Sequence, residues 1–304
     1  MKRPSFALIA TLFMMAECVG DPDASYSITV DRPSKVGDKC EAHIHLNCHI
    51  TQAYTINGKP NRNDDKLISG SLDSTIEVLA INDKFRSTKF KLTVNSLKFS
   101  DSKKPGPEEL ISGGKVVLAE LKDGEKVFTA EGVNLDDRTR EALRAFVKFP
   151  NEKNCADPVA FLNIKTPHAI GDVWDANMEP ILKSWASITI IPLDFDKPSS
   201  TARIKFEKIE KIQDISNFVL SGCVALKATG STMKGLPEGS KMTEAFLKMS
   251  FVSSFPVDPS LPIWSGNVDW DLEIAADVPT RNGKTAKFKL ISKQTTEVAQ
   301  KPVK

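Results

Sequence analysis

Apolar and polar residues alternate most cleanly over residues 38–56. The even positions read Cys40, Ala42, Ile44, Leu46, Cys48, Ile50, Gln52, Tyr54 and Ile56. The odd positions read Lys39, Glu41, His43, His45, Asn47, His49 and Thr51. A period of two, with one apolar and one polar side, marks a strand in a sheet that buries one face. Asn57-Gly58 then supplies a turn.

The same alternation predicts strands at 74–82 and 85–99, joined through Asn82-Asp83. Residues 101–107, Asp-Ser-Lys-Lys-Pro-Gly-Pro, read as a loop. Strands at 115–121 and 126–130 flank Asp123-Gly124. The period then changes. From Leu135 to Phe149, Asp136 can cap a helix whose stripe is Ala142, Leu143, Phe146 and Val147. Residues 150–167, with Pro158 and Pro167, read as loop. Strands resume at 187–195, 201–212, 216–228, 242–254, 263–277 and 285–296. The expected architecture is mainly β: two related curved antiparallel sheets, half-barrel-like, with one central helix. Residues 21–150 form the N-terminal β half, which ends in the helix, and residues 151–304 the C-terminal β half.

An internal echo accompanies this division. Lys35-Val36-Gly37-Asp38 precedes the first long strand, and Ala169-Ile170-Gly171-Asp172 opens the second half. Gly-Asp before a strand sets a tight turn. The favoured reading is two related halves, each begun through the same turn.

Residues 1–20 begin Met1-Lys2-Arg3, continue through an apolar run from Phe6 to Ala16, and end at Cys18 and Gly20. That order is a secretory signal peptide cleaved after Gly20. The run is shorter than the ~20 residues a membrane span needs. Lipidation at Cys18 is the rival route, although Glu17 occupies the place where a small residue belongs. Export to the periplasm or cell envelope permits disulfides among Cys40, Cys48, Cys155 and Cys223. On a continuous strand Cys40 and Cys48 stand ~26 Å apart and do not bond to each other. A net charge of +2 gives no reason to invoke nucleic acid.

Lys35-Val36-Gly37-Asp38, Val116-Val117-Leu118-Ala119 and Gly171-Asp172-Val173-Trp174 resemble segments of uncharacterised exported bacterial proteins with a Gly-Asp-x-Trp segment near mid-chain. Their β-rich halves are similar to the lipoprotein-carrier (LolA/LolB-like) half-barrel. The resemblance implies a fold and no assigned activity. This chain departs from it in lacking a clear lipobox, and no carrier-specific binding residue transfers.

Chemistry concentrates in few places. His43 and His45 share a face ~7 Å apart, as two ligands of a zinc or copper site would, but a closed site needs three or four. An exposed polar face is the preferred reading, with no metal or other cofactor. Asp269, Asp271 and Glu273 form an acidic ladder matched by Lys287, Lys289 and Lys293 on the next strand. Cross-strand ion pairs account for it better than calcium does. Both strands bury even positions, so paired residue numbers must sum to an even total. That requires an odd-length loop, Pro279 to Gly283, or a bulge beside Asn282-Gly283. Trp174, Trp185, Trp264 and Trp270 either line a ligand groove or fill core. Local signatures of hydrolases, zincins and phosphate loops are absent from the sequence. The expectation is a non-catalytic envelope protein with a binding or assembly role, its partner an envelope protein or lipid. The alternatives are a carrier of an apolar ligand in a half-barrel and a hydrolase with a fold-assembled site.

Overall fold

The computed structural model describes residues 21, 24–102, 104–132, 135–149, 158–182, 195–212, 214–228, 237–261, 263, 265–280 and 282–303. The first half contains β1 (Ser25–Tyr26), β2 (Lys39–Ile56), β3 (Lys59–Ile81), β4 (Ser87–Asp101), β5 (Lys104–Lys122), β6 (Glu125–Ala130) and α1 (Asp137–Phe146). Then follow α2 (Pro158–Leu162), β7 (His168–Ala169), β8 (Val173–Asp175), β9 (Thr201–Ile212), β10 (Ile215–Ala228), β11 (Lys241–Pro256), β12 (Ser265–Pro279) and β13 (Thr285–Pro302).

The expectation of two sheets gives way to one. Eleven antiparallel strands run in the order β6-β5-β4-β3-β2-β13-β12-β11-β10-β9-β8, and the sheet stays open. The halves fuse because β13 lies along β2, from Ala286 opposite Ile56 to Pro302 opposite Cys40. A second, two-stranded sheet pairs β1 with β7.

Two cores form on this sheet. One gathers Leu72, Leu92, Val94, Leu97, Phe99 and Val117 beneath α1. Asp136 caps that helix by accepting the Thr139 N–H at 2.7 Å. Its Ala142, Leu143 and Phe146 face the sheet. The other core is built on β9 to β13 and is covered by Phe161, Leu162 and Ile181. Ile28 and Val30, early in the chain, also pack there. Bulges bend the first half: register shifts interrupt β3–β4 at Asp73/Ser74 and β4–β5 at Val94/Ser96.

Three sequence expectations change. β3 begins at Lys59 rather than at 74, and β5 at Lys104 rather than at 115. The loop expected at 101–107 gives way in part to strand, with Asp101 at the end of β4 opposite Lys104 at the start of β5. Residues 59–73 are strand because β2 alongside supplies the hydrogen bonds, which polar side chains do not forbid; at 105–107 the β4–β5 register is irregular, and regular pairing resumes at Glu108 opposite Phe99. The strand expected at 187–195 falls almost wholly outside the described residues, as do the signal-peptide segment and Cys155.

Candidate functional site

The Gly-Asp turns have the same construction in both halves. Lys35 N–H donates to Asp38 Oδ2 at 2.7 Å, and Ala169 N–H to Asp172 Oδ2 at 2.8 Å. Asp38 N–H returns to the Lys35 carbonyl and Asp172 N–H to the Ala169 carbonyl, both at 3.1 Å. Gly37 and Gly171 take φ of 91° and 94°, open to glycine and strained for L side chains. Their N–H groups dock on the Val78 and Phe206 carbonyls, whose residues donate back to Asp38 and Asp172. The first turn is thereby stitched to β3 and the second to β9.

The second turn carries extra furniture. The His168 ring stacks on Trp174, with centroids 4.0 Å apart and planes 18° apart. His168 Nδ1 lies 3.6 Å from Asp172 Oδ2, and the Trp174 indole N–H donates to the Leu162 carbonyl at 2.8 Å. The Gly-Asp-x-Trp segment therefore ties α2 to the sheet edge. Trp174 and Trp270 are both half-buried against the second core. They sit on β8 and β12, which are not neighbours in the sheet. Trp185 and Trp264 lie outside the described residues.

His43 and His45 share the exposed face of β2. His43 Nδ1 meets Asp73 Oδ1 at 2.6 Å, and His49 meets Asp65 on the same strand β3. His45 lies between Ser71 on β3 and Glu297 on β13. Each of the three thus faces a carboxylate on a flanking strand. Among the described residues no group of three His, Cys, Asp or Glu side chains is placed to hold a metal ion. The sequence reading missed Asp65 and Asp73 as partners because its second strand began at 74, whereas residues 59–73 pair along β2.

Cys40 and Cys48 both lie on the apolar side of β2 and are free thiols, as is Cys223. Burial, and then the charge of Asp38, push the Cys40 thiol up to about 11. Burial also raises the Cys48 thiol, against the opposing hydrogen bond with Ser292. Neither is a ready nucleophile, since the thiolate is the reactive form.

The acidic ladder is a charge match. Lys289 meets Glu273 at 2.5 Å, Lys287 meets Asp277 at 2.6 Å, and Lys293 approaches Asp271 at 3.9 Å. Thr295 donates its hydroxyl to Asp269 at 2.7 Å. Paired numbers sum to an even total, as parity required, but the register is two residues from the expected one. Ile274 lies opposite Leu290, and Ala275 opposite Lys289. The five-residue loop is 280–284 rather than 279–283. Thr280 explains this, because its N–H and its hydroxyl both donate to the Lys284 carbonyl, at 2.8 and 2.6 Å. Pro279 has no N–H to offer in that place.

A cavity of about 20 Å³ opens at the end of the second half, lined by Ile212, Ile215, Asn217, Ile263, Ser265 and Pro302 among others. That is room for about one water, not for a lipid chain. No helix among the described residues is long and apolar enough to cross a membrane.

No protein-family model and no curated protein matches the chain. Solved structures to which it is similar include Pseudomonas aeruginosa OccK11 (OpdR), at 9% identity and a TM-score of 0.18, over 90% of this chain and 100% of that one. Pseudomonas aeruginosa OpdQ is 7% identical with a TM-score of 0.20, over 88% of this chain and 98% of that one. An outer membrane channel from Pseudomonas putida F1 is 8% identical with a TM-score of 0.16, over 89% and 100%.

Proposed function

We propose that the chain is a non-catalytic exported protein of the cell envelope with a binding or assembly role. The observation that carries the reading is the order of residues 1–20, basic then apolar then small. The interior adds support. Leu143 and Phe146 of α1 are 0% and 3% exposed, so the first half covers this part of its sheet with its own side chains. The deprotonation-resistant Cys40 and Cys48 offer no nucleophile. Fractionation with N-terminal sequencing and in-cell crosslinking tests this. The expected result is a chain starting near Asp21 in the envelope, crosslinked to a partner. An intact Met1 chain confined to the cytosol overturns it.

A second reading, carriage of an apolar ligand, draws on α1 lying over an open sheet and on the resemblance to lipoprotein carriers. The rim contacts of α1 are polar: Arg138 reaches Asp101 at 3.3 Å and Glu108 at 3.6 Å. Mass spectrometry of lipid extracted from the native protein decides: a stoichiometric lipid supports carriage, and none rejects it.

A further inference from the structure

On the outer face of the sheet, charged side chains bind each half to itself. Lys39 meets Glu77 at 3.5 Å and His43 meets Asp73 at 2.6 Å, which stitches β2 to β3. Lys287, Lys289 and Lys293 stitch β13 to β12 through Asp277, Glu273 and Asp271. Between β2 and β13 the stitching stops. Glu41 lies opposite Lys301 and His45 opposite Glu297. Among the described residues, no ion pair joins these two strands.

The inner face divides along the same line. The two cores have no buried residue in common. Where β2 carries Leu46, Cys48 and Ile50, β13 sets Thr296, Gln294 and Ser292 opposite. Gln294 donates along its own strand, to Thr296 Oγ1 at 3.0 Å. One side-chain hydrogen bond, between Ser292 and Cys48, crosses the middle of the line. Tyr54 and Phe288 meet across one end of it, with ring centroids 4.9 Å apart. Water that reaches a column of hydroxyl and amide groups replaces their hydrogen bonds, so wetting it costs little. Parting β10 from β11 would instead wet Leu220, Leu226 and Leu247, each 0% exposed.

A separate tie spans the two halves. Ile28 and Val30 pack into the second core. A few residues on, Asp31 pairs with Arg86 at 2.7 Å, and Ser87 donates its hydroxyl to Ser34 Oγ at 2.8 Å. Arg86 and Ser87 lie where β3 passes to β4 in the first half. This strap lies outside the eleven-stranded sheet, so it does not depend on the β2–β13 pairing.

We infer that the β2–β13 seam is a hinge line. It opens while both cores stay closed, with the Tyr54–Phe288 end as pivot and the strap holding the halves together. The sheet is continuous in its backbone bonds and divided in its side chains, so its stability is distributed over two cooperative units.

Amide hydrogen exchange on the intact native chain tests this, because β13 donates alternately to its two neighbours. Gln300 N–H points to Ser265 of β12, and Val303 N–H to Lys39 of β2. Even-numbered donors therefore face β12 and odd-numbered donors face β2. Protection at Ile291, Lys293 and Thr295 is expected to be about tenfold or more below that at Leu290, Ser292 and Gln294. Gln294→Cys then locks the seam. It places a thiol opposite Cys48, and opposed residues of paired strands stand ~5 Å apart, within reach of a disulfide. Oxidation of this variant should abolish the difference, and reduction should restore it. Equal protection of odd and even amides in the wild-type chain overturns the inference. So does a difference that survives oxidation of the variant.

Discussion

Asp38 and Asp172 close the same turn, each accepting the backbone N–H of the residue three places earlier, at 2.7 and 2.8 Å. The equivalence makes a paired prediction. Asp38→Ala and Asp172→Ala should each destabilise the protein by about 1 kcal/mol, the worth of one side-chain hydrogen bond to a turn amide. Asp→Asn at either site should lose less, since the amide oxygen still accepts. Urea unfolding of the four variants checks this, and a neutral Asp38→Ala would mean that the first turn is held by its backbone bonds alone.

Gly70 stands where β3 passes under α1. A Cβ there would lie 2.4 Å from the Lys98 carbonyl oxygen and 3.0 Å from Phe146 Cζ. The carbonyl belongs to the backbone of β4 and cannot move aside alone. Gly70→Ala is expected to cost about 3 kcal/mol through overpacking. The loss should appear as a lower urea midpoint, and a midpoint unchanged from wild type would show that β3 and β4 lie farther apart at Gly70 than the structure places them.

Thiol reactivity should divide the described cysteines. Cys223 is exposed, whereas Cys48 is buried and Cys40 half-buried with its thiol pushed up to about 11. With iodoacetamide at pH 8, peptide mapping should find Cys223 alkylated in the native protein. Cys40 and Cys48 should react only after unfolding. Equal rates at all three would contradict the placement of β2's even positions on the inner face.

Glu207 gives a pH dependence of known sign. Hydrogen bonds from Lys205 at 2.6 Å and Ser221 at 2.5 Å hold its carboxyl below the ordinary range. A depressed carboxylate stabilises the fold at pH above its unfolded value of about 4.3, and that contribution is lost as pH falls through the folded value. The site is about one-third exposed, so the effect is discounted to about 0.5 kcal/mol. Glu207→Gln should be less stable than wild type at pH 7, and the gap should shrink as pH falls below the ordinary carboxylate range. A gap that widens in acid would reverse the assignment.

Alternation made most strands legible, since each half-buried strand writes its faces into the sequence. The strong strand at 38–56 is β2, and the residues its parity buries include Ala42, Leu46 and Cys48. The helix was legible through Asp136 and its apolar stripe. Residues 59–73 were not, because their information lies in the partner. Asn57-Gly58 is a two-residue turn with φ of 53° and 74°. Alone it would pair odd with even. A shift at Tyr54/Thr55 restores even with even and sets His43 opposite Asp73. The C-terminal hairpin solves the same parity conflict by lengthening its loop instead. Parity forbids the slip in both hairpins but does not choose the remedy.

The fusion of β2 with β13 imposes an order in time. Ala286 must find Ile56, and Pro302 must find Cys40. A chain threaded out of a channel from its N-terminus presents β2 long before β13 emerges. Through that interval one side of an 18-residue strand has its peptide groups unsatisfied. The last strand therefore acts as a zipper, and while it is missing the naked flank invites pairing with a neighbouring nascent chain. Charged and imidazole side chains along that strand, from Glu41 to His49, are the kind that keep such a flank in water until its own partner arrives.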